Sequence, residues 1–226
     1  MTIYLDIKKN ISEICSSLLP GVKLVAVSKF HPAETVQKAY DVGQRIFGES
    51  RVQELVVKQP ALPADVEWHF IGTLQTNKVK YIAPFISMIQ SVDSIKLMQE
   101  INRQAGICNR KIRVLVEVHI AEENSKHGFS TDECIALFAN DLQQQCPNIH
   151  VCGLMGMATF TDNTEQVARE FAKLKSLFSE IKSMSTIDKQ IFTELSMGMS
   201  DDYKIAIEKG STIIRVGTAI FGAREY

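Results

Sequence analysis

Apolar residues along this chain recur in two rhythms. Ile3, Ile7, Ile11, Ile14 and Leu18 return every three or four positions, so residues 2–19 predict an amphipathic helix stopped by Pro20-Gly21. Val22-Lys-Leu-Val-Ala-Val-Ser28 then reads as a short, β-branched, buried strand. A helical pattern runs from Pro32 to Asp41 and ends at Gly43, after which the alternation repeats. The runs that predict strands are 22–28, 45–48, 67–71, 86–90, 112–118, 149–155, 191–195 and 212–216, with helical segments between them. The clearest helix is 163–182, where Val167, Phe171, Leu174, Phe178 and Ile181 share one face behind a capping Asn163. In 112–118, Ile112, Val114, Val116 and Val118 fall on one face and Arg113, Leu115 and Glu117 on the other. Either face suits a barrel interior, because barrel strands are covered on both sides.

The eight runs start about 27 residues apart on average, near the roughly 30 of a βα repeat. With no Gly-, Pro- or Ser-rich linker between them, they predict an α/β fold, a single (β/α)8 TIM barrel. That barrel takes residues 1–226 as one domain with an extra N-terminal helix. The rival, an open doubly wound sheet, wants a glycine-rich turn after its first strand, and Ser28-Lys29-Phe30-His31-Pro32 has no glycine.

Composition narrows the partners. The chain has 226 residues, 45% of them hydrophobic and 23% charged, the proportions of a soluble globular protein. Its 25 Lys+Arg against 26 Asp+Glu leave a net charge of -1, so neither nucleic acid nor an acidic membrane surface is expected as a partner. Asp6, Lys8 and Lys9 break up what would have to be the core of a secretory signal, and no apolar run is long enough for a membrane span. Cys15, Cys108, Cys134, Cys146 and Cys152 are odd in number and contain no Cys-x-x-Cys, which predicts buried free thiols in a cytoplasmic protein. His31, His69, His119, His127 and His150 have no metal spacing and read as satisfied polar residues, while Lys78, Lys80 and Lys126 read as solvated.

In such a barrel the chemistry sits at the strand ends and the loops that follow them. Those positions include Lys29, Gly48-Glu49-Ser50, Gly72 to Gln75, Asn124 to Lys126, Met155, Ser196 to Ser200, and Arg215 to Thr218. Lys29 either snorkels to solvent or is an amine held against apolar walls, where desolvation favours a neutral nucleophile able to form an imine with an aldehyde. Leu195-Ser196-Met197-Gly198-Met199-Ser200-Asp201-Asp202 leads into a helix ended by Gly210. Ser200 suits an N-cap there, with Asp201 and Asp202 complementing the helix dipole. The same loop also presents backbone N–H groups suited to an anion. In Ile214-Arg215-Val216-Gly217-Thr218, Gly217 permits close backbone approach and Thr218 offers a hydroxyl, and loops after strands seven and eight are the usual phosphate cup of this fold. Arg215 either pairs with a carboxylate or donates to the ring nitrogen of a pyridine cofactor, which it would keep unprotonated. An imine-forming lysine, a phosphate cup and such an arginine together describe pyridoxal 5'-phosphate.

These residues closely resemble the pyridoxal phosphate homeostasis protein family. The resemblance is carried by Leu24-Val-Ala-Val-Ser-Lys29, Phe47-Gly-Glu49, Val52-Gln-Glu54, Trp68-His-Phe-Ile-Gly72 and Glu123-Asn-Ser-Lys126. It is carried further by Gly153-Leu-Met155, Leu195 to Asp202, Gly210-Ser-Thr212 and Arg215-Val-Gly-Thr-Ala-Ile-Phe-Gly-Ala-Arg224. It implies a barrel similar to the N-terminal domain of alanine racemase, with pyridoxal 5'-phosphate held as a Schiff base on Lys29. It also implies phosphate contacts from Ser196, Met199, Ser200, Gly217 and Thr218, and a ring-nitrogen contact from Arg215. Where the family often reads Phe-Gly-Glu-Asn, this chain has Ser50, which is therefore left out of the site.

Two functions from different classes follow. A racemase-like enzyme needs a second base opposite Lys29, and none of Tyr4, Tyr40, Tyr81, Tyr203 and Tyr226 carries a motif marking it as one. The expectation is therefore a carrier without catalytic residues that binds the cofactor reversibly in intracellular homeostasis and hands it to pyridoxal phosphate-dependent apo-enzymes. The last predicted strand ends ten residues before Tyr226, so no racemase-type C-terminal β-domain is expected, and the chain is expected to be a monomer. A phosphosugar aldolase using Lys29 and the same cup is a third reading.

Overall fold

Each β-branched run pairs with the next in chain order, and the last returns to the first. The computed structural model, which describes residues 6–122 and 128–222, shows a closed barrel of eight parallel strands. In order the elements are α1 (Ile7–Ser16), β1 (Lys23–Val27), α2 (Ala33–Asp41), β2 (Ile46–Glu49), α3 (Val52–Lys58) and β3 (Glu67–Phe70). Then come α4 (Val79–Ile82), β4 (Met88–Val92), α5 (Ile95–Ile107), β5 (Ile112–Glu117), α6 (Thr131–Phe138), α7 (Leu142–Gln145) and β6 (Ile149–Met155). The chain closes with α8 (Thr164–Ser183), β7 (Glu194–Ser196), α9 (Tyr203–Glu208), β8 (Ile213–Val216) and α10 (Thr218–Phe221). β1 joins β8 with Val25 beside Arg215 and Ala26 beside Val216, which seals the barrel.

The expected helix over 2–19 is shorter where it is described. Asp6 accepts the Lys9 N–H at 2.9 Å and caps α1, and residues 1–5 lie outside the described part. Ile7, Ile11 and Ile14 are buried, and Asn10 donates to the Ile220 carbonyl at 3.0 Å, which ties α1 to α10. β7 begins three residues later than the apolar run predicts. The N–H groups of Ile191 and Phe192 turn back to the Asp188 carbonyl at 3.1 and 2.9 Å, so those residues belong to the entering turn. Asn163 caps α8 as expected, accepting the Gln166 N–H at 3.1 Å.

Side chains divide between two cores, and this settles the ambiguity of 112–118. Leu115 lies with Val25, Met88, Cys152, Met155 and Ile213 in a small cluster inside the barrel. Ile112, Val114, Val116 and Val118 join the larger cluster beneath the helices. The interior floor is charged: Glu194 pairs with Lys23, and Arg113 reaches it at 3.1 Å. Gly153 lets β6 press against β7, since a Cβ there would lie 1.7 Å from the Glu194 carbonyl oxygen. The cysteines are free, but they are not uniformly buried. Cys134, Cys146 and Cys152 are buried, Cys108 is half-buried, and Cys15 is exposed on the outer face of α1.

Candidate cofactor site

Lys29 follows β1 in a tight turn, where the His31 N–H donates to the Ser28 carbonyl at 3.1 Å before Pro32 opens α2. It is half-buried. With Val27, His31, Gly217, Thr218 and Gly222 it lines a cleft of about 10 Å³, the size of one water. Three of the expected site residues, Lys29, Gly217 and Thr218, thus meet at the β1–β8 seam. The close approach at Gly217 is to the barrel itself: a Cβ there would stand 3.1 Å from the Val27 carbonyl oxygen.

The loop between β7 and α9 builds the neighbouring wall. Gly198 adopts φ +96, and a Cβ would lie 2.6 Å from the Ala206 Cβ, so only glycine suits this bend. Ser200 is not the helix cap that its sequence context predicts. Asp202 holds the N-cap position of α9, and the N–H groups of Asp202 and Tyr203 turn back to the Met199 carbonyl at 3.2 and 2.9 Å. This frees Ser200 to face β8, where its Oγ meets the N–H groups of Gly217 and Ala219 at 3.4 and 3.5 Å. Both distances are at the long limit for a hydrogen bond. Thr218 is exposed beside them, and Met199 is half-buried with its N–H donated to Asp202 Oδ1 at 2.5 Å.

Arg215 enters the barrel interior from β8 and is buried. Its Nη1 donates to Ser196 Oγ at 2.5 Å and its Nη2 to the Gly156 carbonyl at 3.1 Å. Burial pulls its pKa down to about 10, against the charges of Glu117 and Asp202, which favour the cation. Ser196 is fully buried, and its hydroxyl donates to Gln90 Oε1 at 2.7 Å. Ser196, expected among the phosphate contacts, here bonds Gln90 and Arg215. As the last residue of β7 it points into the barrel with Arg215 and supports that side chain.

The chain of bonds continues to His69, whose Nδ1 lies 2.8 Å from Gln90 Nε2. Because Gln90 Oε1 takes the Ser196 proton, its amide N–H₂ faces His69. Nδ1 is then the acceptor and the imidazole proton sits on Nε2. That Nε2 is buried with no hydrogen-bond partner among the described residues, where the sequence suggested a satisfied histidine. Burial, with Arg113 and Lys23 nearby, lowers its pKa to about 3 and keeps it neutral.

Sequence reasoning missed a second polar group, beside β1 and β2. Lys58, buried on α3, bonds Glu49 Oε1 at 2.7 Å and Glu54 Oε2 at 3.1 Å. Burial pushes the Glu49 carboxyl up to about 7, against the pull of Lys58 and Ser28. Burial also opposes ionisation of Glu54, but the Phe30 N–H and Lys58 outweigh it and hold that carboxyl below its ordinary range. A readable signal was present: Val52, Leu55 and Lys58 share one helical face, so Lys58 points where the apolar residues point. A larger cavity of about 320 Å³ opens at the same end of the barrel, lined in part by Ile71, Gly72, Glu117, Met157 and Met199. The loop Asn124 to Lys126, and His127, lie outside the described residues.

Comparison with known proteins shows the family and the fold. The family model described as the alanine racemase N-terminal domain matches residues 5–225. The pyridoxal phosphate homeostasis protein of Aquifex aeolicus is 41% identical over 205 residues, covering 90% of this chain and 88% of that protein. The chain belongs to the pyridoxal phosphate homeostasis protein family. The human protein of that name is 39% identical over 221 residues, covering 92% of this chain and 79% of its own. Among solved structures, the family member PipY of Synechococcus elongatus superposes with a TM-score of 0.87 at 36% identity, covering 96% of this chain and 100% of PipY. A second PipY structure, with pyridoxal phosphate bound, gives 0.84 at 35% identity with the same coverage. Alanine racemase of Streptomyces coelicolor shares the fold, with a TM-score of 0.77 at 16% identity over 96% of this chain and 58% of the racemase.

Proposed function

We propose that this protein is a reversible carrier of pyridoxal 5'-phosphate, holding the cofactor as a Schiff base on Lys29 and releasing it to pyridoxal phosphate-dependent apo-enzymes. The observation that carries the reading is the seam cleft, where Lys29 meets Gly217 and Thr218 beside the Gly217 and Ala219 N–H groups. The cofactor would supply an electrophilic aldehyde for the Lys29 amine. Those two N–H groups, with the hydroxyls of Ser200 and Thr218, would take the phosphate, and the Met199 N–H is given to Asp202 in the present loop. Arg215, held by Ser196 and the Gly156 carbonyl, would face the ring nitrogen and keep it unprotonated. An unprotonated ring is a poor electron sink, which disfavours transaminase chemistry. On this reading the protein is a single-domain, cytoplasmic monomer.

The test is a titration with pyridoxal 5'-phosphate followed in the visible. The wild type should become coloured, and Lys29→Ala should not. Thr218→Ala and Ser200→Ala should both lose the cofactor faster on dilution into a trap for free aldehyde. A wild type that stays colourless refutes the carrier, and unchanged off-rates in both hydroxyl variants would remove Ser200 and Thr218 from the cup.

A further inference from the structure

The turn that carries Lys29 is held by an unusual set of contacts. Phe30, directly after it, adopts φ +67, a left-handed conformation that is strained for a bulky residue. Its N–H donates to Glu54 Oε2 at 2.9 Å. On the other side of Lys29, the Ser28 carbonyl accepts from Lys58 Nζ at 2.9 Å, and the Ser28 hydroxyl donates to Glu49 Oε1 at 2.6 Å. Lys58 and Glu54 are themselves bonded at 3.1 Å. The peptide unit entering Lys29 and the one leaving it are therefore gripped by one ammonium–carboxylate pair. Arg51 closes the turn from outside, its guanidinium 4.5 Å from the centre of the Phe30 ring.

The cluster is an expensive way to pack a helix on a barrel. The Lys58 ammonium and the Glu49 carboxyl are withdrawn from water, Glu54 is half-buried, and Glu49 Oε2 has no partner among the described residues. Apolar residues of similar volume would do the same packing at no desolvation cost. Backbone strain and buried charge converge on a single residue. All three ammonium protons of Lys58 have acceptors in Glu49, Glu54 and the Ser28 carbonyl, so Lys58 is not itself a free amine.

We propose that Glu54 and Lys58, backed by Glu49, are positioning residues that fix the backbone on both sides of Lys29 and so aim its amine at an incoming aldehyde. The proposal rests on the reading of Lys29 as the imine-forming group. In that step the neutral amine nitrogen bonds the aldehyde carbon, and the carbonyl oxygen leaves as water with both amine protons. The nitrogen must approach the carbonyl along a narrow path, so a turn free to rock about Lys29 loses rate without losing affinity for ring and phosphate.

The test separates those two quantities in the full-length protein. Adduct formation with pyridoxal 5'-phosphate is followed by stopped-flow absorbance. Binding of pyridoxine 5'-phosphate, which has the same ring and phosphate but an alcohol for the aldehyde, is measured by calorimetry. Glu54→Ala should slow adduct formation about tenfold or more while changing pyridoxine 5'-phosphate affinity less than about threefold. Glu54→Gln, which keeps an oxygen for the Phe30 N–H, should recover most of the rate. A wild-type rate in Glu54→Ala, or parallel loss of rate and of pyridoxine 5'-phosphate affinity, overturns the positioning role. A wild type that forms no adduct at all overturns the carrier reading as well, so the two failures are told apart. Should Glu54→Ala not fold, amide hydrogen exchange of the unliganded wild type decides: Phe30 should be strongly protected, and exchange at the rate of an open loop overturns the proposal.

Discussion

Protonation of His69 gives the account its sharpest energetic consequence. The imidazole is buried with Gln90 on one nitrogen and, among the described residues, no partner on the other. A second proton would go on Nδ1, the atom that now accepts from the Gln90 amide, so charging the ring sets two donors against each other as well as burying a cation. The folded pKa is about 3 against an ordinary 6.5 in the unfolded chain. Below pH 6.5 the unfolded state therefore holds more protons, and stability falls as pH falls until the folded pKa is reached. Between about pH 7.5 and pH 5 the linkage amounts to a loss of about 2 kcal/mol. Urea unfolding at a series of pH values, for the wild type and for His69→Asn, isolates this contribution. Asparagine keeps a carbonyl for Gln90 but does not titrate, so the wild-type curve should fall about 2 kcal/mol further than the variant curve over that range. Other groups cancel in the difference. Parallel curves, or an imidazole that titrates near its ordinary value by NMR, would refute the reasoning.

Three further outcomes follow from contacts already described. Ser196→Ala leaves the buried Arg215 guanidinium and Gln90 each one partner short, and should lower unfolding free energy by about 1–3 kcal/mol in denaturant melts while also speeding cofactor loss; a neutral result would put the support of Arg215 elsewhere. Gly198→Ala must place a Cβ 2.6 Å from the Ala206 Cβ at φ +96, costing about 1–3 kcal/mol by the same melts and loosening the cup. Ser130→Ala removes one half of the capping box with Glu133 at the start of α6, and thermal melts should show a loss of about 1 kcal/mol with cofactor retention unchanged.

The barrel was legible because one βα period repeats eight times, and each repeat carries its own apolar face. Its edges were less so. The run 191–195 is apolar enough to read as strand, yet Asp188 captures the N–H groups of Ile191 and Phe192 and delays β7. Lys29, Gly217 and Thr218 could be picked out because chemistry in this fold sits at strand ends, and β1 and β8 end side by side only when the barrel closes. The direction of Ser196 could not be read from the sequence: it is the last residue of a strand whose side chains alternate, and one position decides between cup and interior. The line from Arg215 through Ser196 and Gln90 to His69 had no sequence signature at all. Its members come from β8, β7, β4 and β3, and they meet only across the closed interior.

The central claim is a covalent one, and peptide mapping tests it most directly. Protein incubated with pyridoxal 5'-phosphate is reduced with borohydride, digested and read by mass spectrometry, with a parallel sample passed first over a trap for free aldehyde. The account predicts a reduced phosphopyridoxyl group on Lys29 in the first sample and its loss from the second, as a releasable cargo requires. A label on Lys58 or Lys23 in place of Lys29, or a label on Lys29 that the trap never removes, would contradict it.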